Sequence, residues 1–298
     1  MNIKKVVITK GIYLNRELRL LVSFDENDKP VDIINLDITK VGEYYEASVE
    51  KVLTDIDACI LKLDSGDKGF IENKKLNPDE FIYRHSDKKL VCQADKLYVK
   101  IIQDRNYSKP YSCAFASIEE YEKSKGFGFL DYYIKKFCNE DIDIISDFAD
   151  LEVSGMEIRF YQDDSVSLWQ IYDLTKILDN VISMRVNLSK GGNIIIEKTE
   201  ALTVIDINTG KNYGKTSFQE TNLIAAKEIA RQIRLRQLSG MFVIDFLKVS
   251  KEEQQEIIDV FKDASKDDMS QISIHGFTNL GLLEITRSRI FSPIVLAF

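Results

Sequence analysis

The sequence predicts an α+β protein in which a small barrel is set within the chain and a strand–helix–strand unit lies near the C-terminal end. Three observations carry this. Between residues 41 and 102, short strands follow one another at close spacing with no long helix among them. Between Glu197 and Leu247, two apolar strands flank the clearest helical pattern in the chain. The first 36 residues read as strands, with too little apolar surface to form a core of their own, so they must pack on something later.

In order, strands are expected at Lys5–Ile8, Leu18–Phe24 and Val31–Leu36, the last two joined by the polar turn from Asp25 to Pro30. The barrel strands are expected at Tyr44–Leu53, Ala58–Leu63, Gly69–Ile71 and, after a polar stretch holding Pro78, Lys96–Ile102. Helices follow at Ile118–Lys123 and Phe129–Phe137, separated by Gly126-Phe127-Gly128. Met156–Tyr161 reads as a strand, Trp169–Asn180 as a helix with Trp169 as a packing residue, and Ser183–Leu188 as a strand ending at Ser189-Lys190-Gly191-Gly192. Glu220–Leu238 has Leu223, Ala226, Ala230 and Ile233 at helical spacing and Gly240 just beyond its end. An amphipathic helix at Glu252–Asp263, a strand at Gln271–His275 and the segment Gly281–Arg289 complete the chain.

Composition narrows the function. With 298 residues, 44% hydrophobic and 30% charged, the chain can hold two or three small domains. No window approaches the length of a membrane helix, and MNIKKVVITKGIYL lacks a long apolar core followed by a cleavage site, so a cytoplasmic protein without membrane partners is expected. Cys59, Cys92, Cys113 and Cys138 are isolated, with no CxxC pair, which points to reduced thiols and to no zinc site. A formal net charge of −8 argues against indiscriminate coating of nucleic acid. Lys190, Lys211, Lys215, Arg231, Arg234, Arg236, Arg287 and Arg289 nevertheless crowd the C-terminal third, so binding to RNA would be local and salt-sensitive.

Chemistry concentrates at two aspartates. Strand alternation puts Asp206 and Asn208 on one face with Leu202 and Val204. Asp245 is a single charge in the run Met241–Leu247, which otherwise reads as fully buried, and suggests a compensating partner such as a metal ion, an Arg or a Lys. If the two strands are parallel neighbours, their carboxylates can share one cation. Oxygen donors of this kind suit Mg²⁺, or Mn²⁺, and not zinc. The competing explanation pairs Asp245 with Arg231, Arg234 or Arg236.

TEALTVIDINTG, TNLIAAKEIARQIRLRQLSGMFVIDFL and GLLEITRSR closely resemble, in order and spacing, the catalytic part of the bacterial ribonuclease E/G family. The resemblance implies a metal-dependent endoribonuclease that leaves 5′-phosphate and 3′-hydroxyl ends on single-stranded, A/U-rich RNA. It implies magnesium on Asp206 and Asp245, with Asn208 orienting the first. VGEYYEASVEKVLTDIDACILKLDSGDKGFIE resembles the family's OB-fold RNA-binding module, with Phe70 at an RNA-stacking position, Ile60 where a companion aromatic is usual, and Tyr45 as a further contact. Lys190, Lys211, Arg287 and Arg289 complete the expected RNA contacts. The implied domains are an RNase H-like subdomain in two parts (1–36 and 113–190), an OB-fold insert (37–112) and a DNase I-like catalytic domain (191–298). No counterpart of the family's Arg-Thr pair for a 5′-monophosphate occurs between Tyr111 and Lys136, and no CPxC zinc-binding linker occurs in the sequence, so a homo-oligomer would form without a zinc link. His275 is expected to be structural or to contact phosphate rather than to act as a general acid. An RNA-binding protein that keeps this scaffold with weak or no turnover is the rival expectation.

Overall fold

The computed structural model describes residues 3–86, 90–104, 109–124, 128–138, 141–153, 155–209 and 217–294. β1 (Lys5–Tyr13), β2 (Arg16–Phe24) and β3 (Pro30–Asn35) form an antiparallel meander. β1 and β2 run longer than their apolar stretches because Leu14 and Asn15, both at positive φ (48° and 62°), form a two-residue turn. Such turns usually carry Asn-Gly or Asp-Gly, so this one is hard to see in the sequence. Val6, Val7 and Ile8 are each 0% exposed, as expected of a central strand covered on both faces.

β4 (Tyr44–Leu53), β5 (Ala58–Leu63), β6 (Lys68–Glu72), β7 (Lys96–Gln103) and β8 (Tyr111–Ala116) close into a barrel in the order β4-β5-β6-β8-β7, as an OB-like fold requires. β8 was not expected; it bridges β7 and β6 and extends the barrel beyond residue 112 to Ala116. Ala47, Val49, Leu61, Leu63, Ile71, Leu97, Val99 and Ile101 fill the interior.

After α1 (Ile118–Lys123) and α2 (Phe129–Phe137), β9 (Asp143–Ser146) and β10 (Arg159–Phe160) return to the first sheet, giving the order β10-β9-β1-β2-β3. β9 lies parallel to β1, so one sheet is built from two distant stretches of chain with the barrel between them. The acidic setting of Ile144 and Ile145 hides this short strand in the sequence. The expected helix 169–180 is two helices, α3 (Leu168–Ile171) and α4 (Leu174–Ile182), broken at Asp173 with φ +47°. Trp169 is a packing residue: its ring lies where a Cβ on Gly11 would come within 2.2 Å, and its indole N–H donates to Thr175 Oγ1 at 2.9 Å.

The remaining elements are β11 (Arg185–Asn187), β12 (Asn193–Lys198), β13 (Leu202–Asn208), α5 (Phe218–Leu235), β14 (Gly240–Asp245), α6 (Lys251–Ser265), β15 (Ile272–Phe277) and β16 (Leu282–Arg287). They form a sheet ordered β11-β12-β13-β14-β16-β15. β11 thus belongs to this sheet, ahead of the boundary expected at residue 190. Ser217 caps α5 by accepting from the Glu220 N–H. Ala225, Ala226, Ile229, Ala230 and Ile233 of α5 pack with Ile257 and Phe261 of α6 on Ile205, Ile207, Phe242 and Ile244. Both helices cover the same side of the sheet.

Two buried carboxylates join these parts. Asp32 of β3 accepts from Arg234 Nε and Nη2, both at 2.8 Å, and from Tyr133 at 3.0 Å and Ser23 at 3.1 Å. Burial opposes ionisation of Asp32, but the Arg234 guanidinium and these hydrogen bonds outweigh it and hold the carboxyl below its ordinary range. Asp104, 1% exposed, accepts from the backbone N–H groups of Lys40 and Ser292, each at 3.2 Å, where the barrel meets the end of the chain's last sheet. Here burial dominates and pushes the carboxyl up to about 6.

A raised folded value means that the native state holds an extra proton between about pH 4 and 6. The Asp104 contribution is therefore fully present below about pH 4 and is lost as pH rises through 6, a change of about 3 kcal/mol. Melting curves from pH 4 to 8 on the protein and on Asp104→Asn test this. The fall in stability across pH 4–6 should be smaller in the variant, and parallel profiles would show that Asp104 does not titrate there.

Candidate active site

Parallel pairing of β13 with β14 sets Asp206 directly beside Asp245, the last register pair of the two strands. α5 is the crossover between them. On β13, Thr203, Ile205 and Ile207 turn to the helices, which leaves Leu202, Val204, Asp206 and Asn208 on the other side. On β14, Phe242 and Ile244 are buried, whereas Met241 is 53% exposed and Asp245 is exposed. This corrects the expectation of a fully buried strand. Asp245 stands on an open sheet face, so its charge carries no burial penalty. Glu197, opposite Val204, and Glu284, opposite Val243, share that face.

Asn208 Nδ2 donates to Asp206 Oδ2 at 2.7 Å, which fixes one carboxylate oxygen. From the covered side, buried Asn222 of α5 donates to the Leu247 carbonyl at 2.9 Å and accepts from the Leu247 N–H at 3.1 Å. This pair clamps the chain two residues after Asp245. Asn222 was missed in the sequence, although an Asn on the apolar stripe of TNLIAAKEIA is the signal that finds it.

None of the three candidate arginines pairs with Asp245. Arg231 bonds Glu228 at 2.6 Å, Arg234 is held by Asp32, and Arg236 donates to Gln232 at 2.7 Å. Among the described residues, no ion pair joins a Lys or Arg to Asp206 or Asp245. Two like charges side by side repel, and a bound cation would relieve that repulsion. The donors are carboxylate and amide oxygens, a set that fits Mg²⁺ or Mn²⁺. Among the described residues no larger cluster of His, Cys, Asp and Glu suited to a metal occurs.

The expected RNA contacts divide. Phe70 is half-buried on the outer barrel surface, opposite Ile60 on β5 and Ser112 on β8. Tyr45 requires correction: it shares the inward side of β4 with Ala47 and Val49, packs on the barrel core, and spends its hydroxyl on Glu43. Tyr44 is the outward member of the pair, with Lys100 Nζ 4.9 Å from its ring centre. Arg287 is also corrected. It is 2% exposed, bonded to Asp268 at 2.8 and 3.0 Å and to the Leu238 carbonyl at 2.8 Å, and so cannot reach RNA. Strand parity explains this, since Arg287 follows Leu283 and Ile285 onto the helix-covered side.

Arg289 is half-buried at the seam with the barrel, where its carbonyl accepts from Gln103. Burial lowers its basicity, and the charge of Asp104 partly offsets this. Lys190 is exposed and ion-paired with Glu220 at the start of α5. Lys211 lies outside the described residues. His275 bonds Thr286 at 3.1 Å, and Thr286 stands opposite Met241, four residues along β14 from Asp245. At about 3.3 Å per residue that separation excludes proton transfer at the aspartates. Between the barrel and α2, a cavity of about 500 Å³ is lined by Tyr44, Lys100, Glu120, Tyr132, Lys135 and Lys136.

The sequence profile of the Ribonuclease E/G family matches residues 80–290. This chain belongs to the ribonuclease E/G family. Similar family members include Ribonuclease G of Haemophilus influenzae, 39% identical over 127 residues, which are 41% of this chain and 26% of that protein. The chloroplastic Ribonuclease E/G-like protein of Arabidopsis thaliana is 37% identical over 135 residues, 43% of this chain and 14% of its own length. Ribonuclease E of Haemophilus influenzae is 38% identical over 138 residues, 45% of this chain and 15% of its own length. The aligned segment therefore spans about a quarter or less of these ribonuclease E/G relatives. No helix among the described residues is long and apolar enough to cross a membrane.

Proposed function

We propose that this chain is a cytoplasmic, metal-dependent endoribonuclease that cleaves single-stranded RNA during processing or decay, leaving 5′-phosphate and 3′-hydroxyl ends. The observation that carries this is the register pair of Asp206 and Asp245 on an open face, without a protein cation to neutralise it among the described residues. In this reading the barrel is an OB-fold set between the two parts of an RNase H-like subdomain, and the six-stranded sheet is the core of a DNase I-like catalytic domain. Asp206 and Asp245 would hold Mg²⁺, with Mn²⁺ as a substitute. When bound, such an ion stabilises charge on the phosphoryl oxygens and eases deprotonation of the attacking water.

The protein's own residues supply position. Asn208 keeps Asp206 from rotating, and Asn222 holds the backbone beyond Asp245. The face left uncovered by α5 and α6 admits an extended strand, whereas splayed bases can stack on Phe70 beside Ile60. Incubating a labelled A/U-rich oligonucleotide with the protein in Mg²⁺ or in EDTA tests the assignment. Cleavage in Mg²⁺ and none in EDTA is expected, and binding without cleavage in either condition would favour a scaffold that has lost turnover.

Phe70→Ala should weaken RNA affinity by about 1–3 kcal/mol while leaving the rate at saturating RNA nearly unchanged. Unchanged affinity with a lowered melting temperature would place Phe70 in the packing instead. Cleavage should also be indifferent to the 5′ end. The cavity beside α2 offers lysines rather than an Arg fork, and Lys100 is held between the rings of Tyr44 and Tyr132, 4.9 Å from each. Oligonucleotides bearing a 5′-monophosphate or a 5′-hydroxyl should give equal kcat/KM. A tenfold preference for the monophosphate, about 1.4 kcal/mol, would reveal a terminal phosphate site.

A further inference from the structure

Asn193 opens β12 directly opposite Asn208 of β13. Residues that face each other across an antiparallel pair send their side chains to the same side of the sheet, so Asn193 shares the face of Asp206 and Asn208. It is only 6% exposed, and its Oδ1 is buried without a hydrogen-bond partner among the described residues. The preceding turn holds it there. Gly191 and Gly192 adopt φ of 95° and 82°, and a Cβ on Gly192 would lie 2.5 Å from the Asn208 carbonyl oxygen. Buried amide oxygens in native proteins almost always have a donor, and one without a partner calls for a ligand or a function. A leucine has the same branched shape and leaves no polar atom unpaired.

We propose that Asn193 Oδ1 accepts a hydrogen bond from a water molecule carried by the divalent cation of Asp206 and Asp245, and so finds its partner when the cation is bound. The proposal rests on the metal assignment above. The chemistry matches, because Mg²⁺ favours hard oxygen donors and retains water molecules whose hydrogens need acceptors. A neutral amide supplies such an acceptor without adding a third negative charge beside the two aspartates. Outer partners of this kind typically change metal affinity 10–100-fold.

The test is Mn²⁺ binding, by calorimetry and by the spin-resonance signal of the free ion, on the wild type, Asn193→Leu, Asn193→Ala and Asp245→Asn. Melting temperatures are measured in parallel in EDTA. Both Asn193 variants should bind Mn²⁺ about tenfold or more weakly. Asn193→Leu should melt at or above the wild-type temperature in EDTA, because its buried orphan oxygen is gone. Should Asn193→Leu fail to fold, Asn193→Ala carries the affinity comparison. Wild-type Mn²⁺ affinity in a folded Asn193 variant, with Asp245→Asn binding weakly, would overturn this proposal alone. Absence of Mn²⁺ binding in the wild type as well as in Asp245→Asn would overturn the two-aspartate cation site and this proposal with it.

Discussion

Asp245→Asn should lower Mg²⁺-dependent cleavage by at least about 10³-fold, roughly 4 kcal/mol of transition-state stabilisation, without unfolding the protein. The side chain is exposed on the open face of β14 and, among the described residues, makes no ion pair, so its charge is not needed to hold the described elements together. Removing one of two adjacent negative charges also relieves their repulsion. The variant's melting temperature in EDTA should therefore equal or slightly exceed that of the wild type, and the increase produced by Mg²⁺ should disappear. Asn208→Ala should cost less, about 1–3 kcal/mol, because Asp206 stays in place but loses the 2.7 Å hydrogen bond that orients it. Single-turnover rates together with melting curves check both. Near-normal cleavage by Asp245→Asn would rule out a cation shared by the two aspartates.

Arg234→Ala should have the largest effect on stability, a loss of about 3–5 kcal/mol, because it strands a fully buried carboxylate. Arg234 and Asp32 have side-chain exposures of 2% and 0%, and their two hydrogen bonds tie α5 to β3. A loss of that size corresponds to a fall in Tm of roughly 10 °C for a chain of this length. Replacing both partners with apolar residues, Asp32→Leu with Arg234→Met, should recover most of the loss, since no charge is then left unpaired. Urea titrations of the single and double variants measure this. A loss below about 1 kcal/mol in Arg234→Ala would show that the pair does not join the two sheets.

The adjacency of Asp206 and Asp245 was legible because both end apolar strands on either side of a helix with strong 3.6-residue periodicity, a local pattern that favours parallel neighbours. Phe70 was singled out by the family resemblance alone; its outward position, alternating with Gly69 and Ile71 along β6, was decided by the barrel. Tyr45 and Arg287 were misassigned as RNA contacts, and each error has a structural cause. Adjacent Tyr44 and Tyr45 leave the inward position ambiguous until the barrel register is known. Arg287 looks like surface charge until Asp268 is seen to receive it, and that partner lies 19 positions away in the chain.

By itself, the sequence determined the α+β class, the strand–helix–strand unit and the pair of aspartates, since these follow from periodicity and spacing within a short window. Tertiary structure alone decided which charges are available. It turned Asp245 toward solvent, buried Arg234 and Arg287 in ion pairs, and closed the barrel with β8. It also set Asn193 against Asn208. Each of these depends on contacts between residues distant in the chain, where the energy of burying or pairing a polar group outweighs any local preference.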